Sequence, residues 1–146
     1  MNGRGNIELS TEKFKDGKTS VKFNWNGPVQ LMFTNASDIE ASMKADGSGM
    51  ILWNYNTTPI SEPLIFKYHD WNGGVICQFN FNMDFTGWRT MWVKYEDMLT
   101  PEGKHLGETP LAERNTAASR MTITVPISCQ QGTFYLDRLS FMKSRM

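Results

Sequence analysis

Apolar residues fall at every second position through most of this chain, the spacing of half-buried strands rather than of helices. In Thr19–Trp25, Val21, Phe23 and Trp25 share one side against Lys22 and Asn24, and Asn26-Gly27-Pro28 stops the run. Leu64–Tyr68 repeats the pattern, with Leu64, Phe66 and Tyr68 set against Ile65 and Lys67. Met121–Val125 does so with Met121, Ile123 and Val125 inward. The central stretch is 79–95, FNFNMDFTGWRTMWVKY. Phe79, Phe81, Met83 and Phe85 alternate with Asn80, Asn82 and Asp84 before Thr86-Gly87 breaks the strand. Beyond the break, Trp88, Thr90, Trp92 and Lys94 share one face, and Arg89, Met91, Val93 and Tyr95 the other. Neither face is purely apolar, so one of them is expected to meet something other than the core.

Ile7–Ser10, Val29–Thr34, the apolar run Met50–Tyr55 and Thr133–Met142 complete a set of eight or nine short strands. Ile39 and Met43 have loosely helical spacing, but Gly47, Gly49 and the polar residues around them predict a loop with a single helical turn over 35–49. His69–Gly74 reads as a turn. Residues 96–120 are polar, hold Pro101, Gly103, Gly107 and Pro110, and keep no period, so they predict a long loop. Short strands with regular turn signals and no long helix give an all-β fold: an antiparallel two-sheet β-sandwich of the jelly-roll kind, one domain over 1–146.

Composition narrows the function classes. Hydrophobic residues make up 40% and charged residues 21%, ordinary values for a chain that buries a core. Fifteen basic residues balance fifteen acidic ones, so the excess that drives phosphate binding is missing and no nucleic-acid partner is expected. No apolar run approaches the ~20 residues that span a bilayer, so no membrane partner is expected, and no signal peptide is visible. The two cysteines, Cys77 and Cys129, lie in or beside strands and read as buried thiols unless the fold brings them together.

Catalytic patterns are sparse. HExxH, GxSxG, a P-loop and CxxC are all missing, and His69 and His105 both fall in expected loops. The carboxylates Glu62, Asp70, Asp84, Glu96 and Asp97 show no spacing that selects an acid–base pair. Aromatic and amide residues suit sugars better, since rings stack on the apolar C–H faces of pyranoses while amides and cations bond the hydroxyls and anionic groups. Trp71, Trp88, Trp92 and Tyr55 are the candidate rings, with Asn54, Arg89 and Lys94 as polar partners. Trp25, Trp53, Trp88 and Trp92 equally suit a packed core, whereas Trp71, in a glycine-rich turn, does not. Asp137 stands within the apolar closing strand 134–139 and needs either a cationic partner or a metal. One Ca²⁺ shared with oxygens around Asp16 in the first connection is the metal reading.

Four blocks, 9–25 (LSTEKFKDGKTSVKFNW), 51–68 (ILWNYNTTPISEPLIFKY), 81–93 (FNMDFTGWRTMWV) and 134–141 (FYLDRLSF), resemble in order and spacing the N-terminal domain of the chondroitin sulfate ABC lyase family. The resemblance implies a galactose-binding-like jelly roll, similar to carbohydrate-binding modules, preceding a helical catalytic toroid. In such lyases the catalytic His, Tyr, Arg and Glu lie in the toroid, which has no counterpart here, so no catalytic residue carries over and the catalytic lyase domain is expected to be absent. In related jelly rolls a closing-strand Asp helps hold a structural cation, and Asp137 occupies the equivalent place. The implied role is a non-catalytic accessory module of a secreted or periplasmic bacterial lyase. Its implied partners are a sulfated glycosaminoglycan, such as chondroitin or dermatan sulfate, and the downstream catalytic domain. The alternative is a structural domain that packs on that catalytic domain and binds no glycan.

Overall fold

The structure, a computed structural model, describes residues 4–10, 20–27, 29–34, 36–44, 47–57, 59–125 and 131–142. Among the described residues nine strands form two antiparallel sheets: β1 (Arg4–Ser10), β2 (Ser20–Asn26), β3 (Gln30–Phe33), β4 (Gly49–Asn56), β5 (Leu64–Asp70), β6 (Val75–Phe81), β7 (Gly87–Lys94), β8 (Ala118–Thr124) and β9 (Gln131–Met142). The five-stranded sheet runs β1-β2-β9-β4-β7 and the four-stranded sheet β3-β8-β5-β6. This is the all-β, two-sheet antiparallel sandwich that the alternation predicts.

The core lies between the sheets and is largely aromatic and sulfur-rich. Phe23, Trp25 and Phe134 meet edge to face or tilted, with centroids 5.3–5.4 Å apart. Phe66 stacks on Phe79 at 4.8 Å across β5 and β6. At the other end the Tyr68 and Tyr95 rings meet at 5.2 Å and 90°. There the Tyr68 hydroxyl donates to Met50 Sδ at 2.9 Å, and the Ser42 and Tyr95 hydroxyls share a 2.6 Å hydrogen bond. Cys77 is buried there as a free thiol, while Cys129 lies outside the described residues.

Four expectations are corrected. Residues 36–43 form a two-turn helix, α1 (Ala36–Met43), rather than a loop with one turn. Ile39 and Met43, one turn apart, are its buried anchors, and tertiary burial holds a helix too short to persist alone. His69 is in β5, not in a loop: the strand runs on to Asp70, and only 71–74 turn. The 96–120 segment is more structured than its lack of period suggests. It holds 3₁₀ turns at Tyr95–Asp97, Leu106–Glu108 and Leu111–Glu113, and β8 already begins at Ala118. Isolated apolar anchors, Met98 and Leu106, tie it to the core. Leu99 exchanges both backbone hydrogen bonds with Gln78, so the segment covers part of the open edge of β6.

The strand predicted over 79–85 ends at Phe81, and 82–86 instead cross from one sheet to the other. Met83 and Phe85 stay buried in that crossing. Asn56, itself buried, donates its amide to the carbonyls of Met83 at 2.9 Å and Phe85 at 3.0 Å. Gly87, with φ of +97°, then opens β7. Replacing Asn56 by Ala takes the amide donor from the Phe85 carbonyl, while the Met83 carbonyl keeps the Ile60 and Phe85 N–H groups at 3.2 and 2.9 Å. A loss on the order of 1–3 kcal/mol is therefore expected. Urea unfolding of the variant would show it, and an unchanged midpoint would remove the amide from any role in the crossing.

Candidate carbohydrate-binding face

β4 separates its side chains cleanly. Met50, Leu52, Asn54 and Asn56 are buried toward the core, and Ile51, Trp53 and Tyr55 are half-buried on the outer side. Its neighbour β7 lies in register, with Trp88 opposite Tyr55, Thr90 opposite Trp53 and Trp92 opposite Ile51. On the other flank β9 sets Tyr135 opposite Tyr55, and β2 sets Lys22 opposite Tyr135. Directly opposed residues project from the same face. The outcome is a transverse row, Trp88–Tyr55–Tyr135–Lys22, crossing four strands.

The row is in contact along its length. Trp88 and Tyr55 meet edge to face at 5.4 Å, Tyr55 and Tyr135 at 6.0 Å, and the Lys22 ammonium lies 5.6 Å from the Tyr135 ring centre. Strands about 4.8 Å apart make three such strands a strip of roughly 10 Å between the outer aromatic positions. Tyr135 is only 4% exposed and forms the floor, while Trp92 is 49% exposed at the edge strand. Lys94 lies 6.0 Å from the Trp92 ring centre and 4.0 Å from Glu96, a weak screened pair. Asn24 accepts from the Thr133 hydroxyl at 2.6 Å beside the row, leaving an amide on the same face.

This geometry sorts the residues singled out in the sequence. Tyr55, Trp88, Trp92 and Lys94 come together on the outer face of the five-stranded sheet. Asn54 and Arg89, although opposite one another, lie on the other side of β4 and β7. Asn54 is 2% exposed; its amide donates to the Arg89 carbonyl at 3.4 Å, and its Oδ1 has no partner among the described residues. The Arg89 guanidinium rests 4.2 Å from the Phe85 ring centre. Trp71 belongs to the four-stranded sheet, in the turn between β5 and β6. Among the tryptophans weighed as core, Trp25 is buried, whereas Trp53 and Trp88 are half-buried outside.

Tyr135 and Lys22 were not among the sequence candidates. Tyr135 sits in the apolar run 134–136, where only the alternation of Phe134 and Leu136 against Tyr135 and Asp137 marks it as outward. Lys22 carried the same signal, as the polar side of β2. That alternation also changes the reading of Asp137. It faces outward opposite Trp53, half-buried rather than enclosed with Phe134 and Leu136, and it takes part in interactions there. Asp16, the other expected calcium ligand, lies outside the described residues. Among the described residues no three His, Cys, Asp or Glu side chains gather. No described helix is long and apolar enough to cross a membrane.

The two antiparallel sheets define a β-sandwich whose fold is shared with carbohydrate-binding modules. A family 11 carbohydrate-binding module from Clostridium thermocellum, solved with a β-1,3-1,4-mixed-linked tetrasaccharide, matches 99% of this chain and 86% of its own, with a TM-score of 0.61. Identity is 10%, so that likeness concerns the fold alone. The chain belongs to the family described as Lyase, N terminal, whose model matches residues 1–146. It is 28% identical over 134 residues to a chondroitin sulfate ABC exolyase of Proteus vulgaris, covering 91% of this chain and 12% of that protein. A chondroitin sulfate ABC exolyase of Bacteroides thetaiotaomicron is 32% identical over 106 residues, covering 66% of this chain and 10% of that protein. The chain therefore spans about a tenth of the length of these relatives.

Proposed function

We propose that this domain is the non-catalytic, glycan-binding N-terminal module of an exported bacterial polysaccharide lyase acting on sulfated glycosaminoglycans. The observation that carries the reading is the in-register row Trp88–Tyr55–Tyr135–Lys22 on the outer face of the five-stranded sheet. Edge-to-face packing fixes the rings before any ligand arrives, so little side-chain entropy is lost on binding. Tyrosine hydroxyls and the Asn24 amide supply hydrogen bonds, and Lys22 and Lys94 supply cations for sulfate or uronate. The eliminative chemistry belongs, on this reading, to the catalytic domain of the parent chain, and the module holds the polymer near it. The kinship with chondroitin sulfate ABC exolyases supplies the ligand class.

Calorimetric titration with size-defined chondroitin sulfate oligosaccharides, paired with an independent affinity method, tests the proposal. Saturable binding that weakens with salt is expected. Tyr55→Ala and Trp88→Ala should each lower affinity about tenfold, roughly 1.4 kcal/mol. Arg89→Ala, on the far side of β7, should leave it unchanged. Folded Tyr55 and Trp88 variants that bind as well as the parent would take the row out of the site. Silence in both methods would favour a structural domain that packs on the catalytic domain.

A further inference from the structure

The outer face of the four-stranded sheet differs in chemistry from the aromatic face. Lys67 and Gln78 are opposed on β5 and β6, Lys67 and Thr122 on β5 and β8, and His69 and Arg120 on β5 and β8. Asp70, the last residue of β5, is the only carboxylate in the four strands. Its Oδ1 already accepts from the backbone N–H groups of Asn72 and Gly74, both at 2.9 Å. Among the described residues neither Lys67 nor Arg120 has an ion-pair partner.

The same corner displays Trp71, 64% exposed, on a turn locked from several sides. Asp70 N–H donates to the Gly74 carbonyl at 2.9 Å, and Gly73 N–H to the Asp70 carbonyl at 3.0 Å. The Ser119 hydroxyl donates to the Asp70 carbonyl at 3.0 Å. His69 Nδ1 donates to the Gly73 carbonyl at 3.2 Å, and Nε2 is hydrogen-bonded to the Thr122 hydroxyl at 2.8 Å. A Cβ on Gly73 would lie 3.2 Å from Arg120 Nη2, so the guanidinium rests against the turn that carries Trp71. A large exposed indole on a turn this constrained is costly to display and cheap to bury against a ligand.

We propose that this corner, formed by Lys67, Arg120 and Trp71 on the back of the sandwich, is a second binding site for sulfated glycan, dominated by charge. Arg120 offers a planar fork matched to a sulfate or carboxylate, Lys67 a second cation on the same face, and Trp71 a ring for a pyranose. With the aromatic row on the opposite sheet, one module would hold two stretches of polymer. The ligand class rests on the glycan-binding reading above; the residues are entirely separate from it.

The test compares the intact domain with the surface double variant Lys67→Gln/Arg120→Gln, with Trp71→Ala and with Trp88→Ala, all shown to be folded by circular dichroism. Binding of a short chondroitin sulfate oligosaccharide is followed by calorimetry across a range of salt. The parent should bind about two oligosaccharides per domain. The double variant should lose one of them, and the slope of log affinity against log salt should fall by roughly two. Trp71→Ala should weaken that same site, and Trp88→Ala should weaken only the other. Unchanged stoichiometry and slope in the double variant would overturn this inference and leave the aromatic row standing. Loss of all binding in the double variant, with Trp88→Ala unaffected, would instead keep this site and reject the row. A parent that binds no sulfated oligosaccharide overturns both.

Discussion

Alkali is expected to unfold this domain steeply between pH 9 and about pH 12. Burial raises the Cys77 thiol from 9.0 to about 12. Burial also raises the Tyr95 hydroxyl from 10.0 to about 12, against hydrogen bonds from Ser42 and Tyr68 that pull it down. Tyr68, wholly enclosed, is pushed up further by burial and by its neighbours Tyr95 and Cys77. In each case the folded state keeps a proton that the unfolded chain releases earlier, so the stabilisation is complete below pH 9 and drains away as pH rises toward 12. Cys77 alone would withdraw on the order of 4 kcal/mol across that window, a large share of a typical ~5–15 kcal/mol. Urea midpoints measured from pH 7 to 12 should fall through this range, and Cys77→Ala should delay the onset toward pH 10, where tyrosine takes over. A midpoint flat to pH 12 would show that the cluster opens to water without unfolding.

How much of this was legible in the sequence follows from which signals are local. Strand alternation is local, so β2, β5 and β8 and their buried faces follow directly from residues such as Phe23, Phe66 and Ile123. β7 follows as a strand but, with apolar residues on both sides, not as to which face is buried. The helix at 36–43 is not local in this sense, because Ile39 and Met43 become helix anchors only once the sheets provide a core to bury them. The same holds for Met98 and Leu106, which organise a segment that has no period of its own.

For the candidate site, alternation assigns each residue to one of two sides but not to a neighbour. Asn54 and Arg89 looked like partners of Tyr55 and Trp88 because they adjoin them in sequence, yet adjacency along a strand sends side chains to opposite faces. Tyr135 and Lys22 join the row through strand order, since β9 inserts between β2 and β4. That long-range pairing brings together residues more than a hundred positions apart, and no spacing along the chain encodes it. Trp71 is the converse case: its turn was legible, but the sheet it belongs to was not.

The site depends on β4, which is paired on both flanks, and that makes Gly49→Ala a strongly destabilising change. Gly49 opens β4, opposite Lys94 on β7 and Met142 on β9. A Cβ there would collide with the Val93 carbonyl oxygen, and would lie 2.8 Å from Lys94 Cα and 2.9 Å from the Val93 carbonyl carbon. All three atoms are backbone, held in the β4–β7 ladder, and the Tyr95 N–H just beyond bonds the Ser48 carbonyl at 3.0 Å. No side chain can swing aside, so β4 and β7 must separate at that end, beside the Tyr68–Tyr95 cluster. A cost of roughly 3 kcal/mol or more is expected, at the upper end for overpacking. Gly103→Ala is the contrast: its φ of +86° imposes about 1–2 kcal/mol of backbone strain, but nothing lies within 4 Å of the added methyl. Urea unfolding of the two variants side by side separates collision from conformational strain. If Gly49→Ala loses no more stability than Gly103→Ala, β7 yields at Val93, and the edge strand carrying Trp88 and Trp92 is free to move against β4.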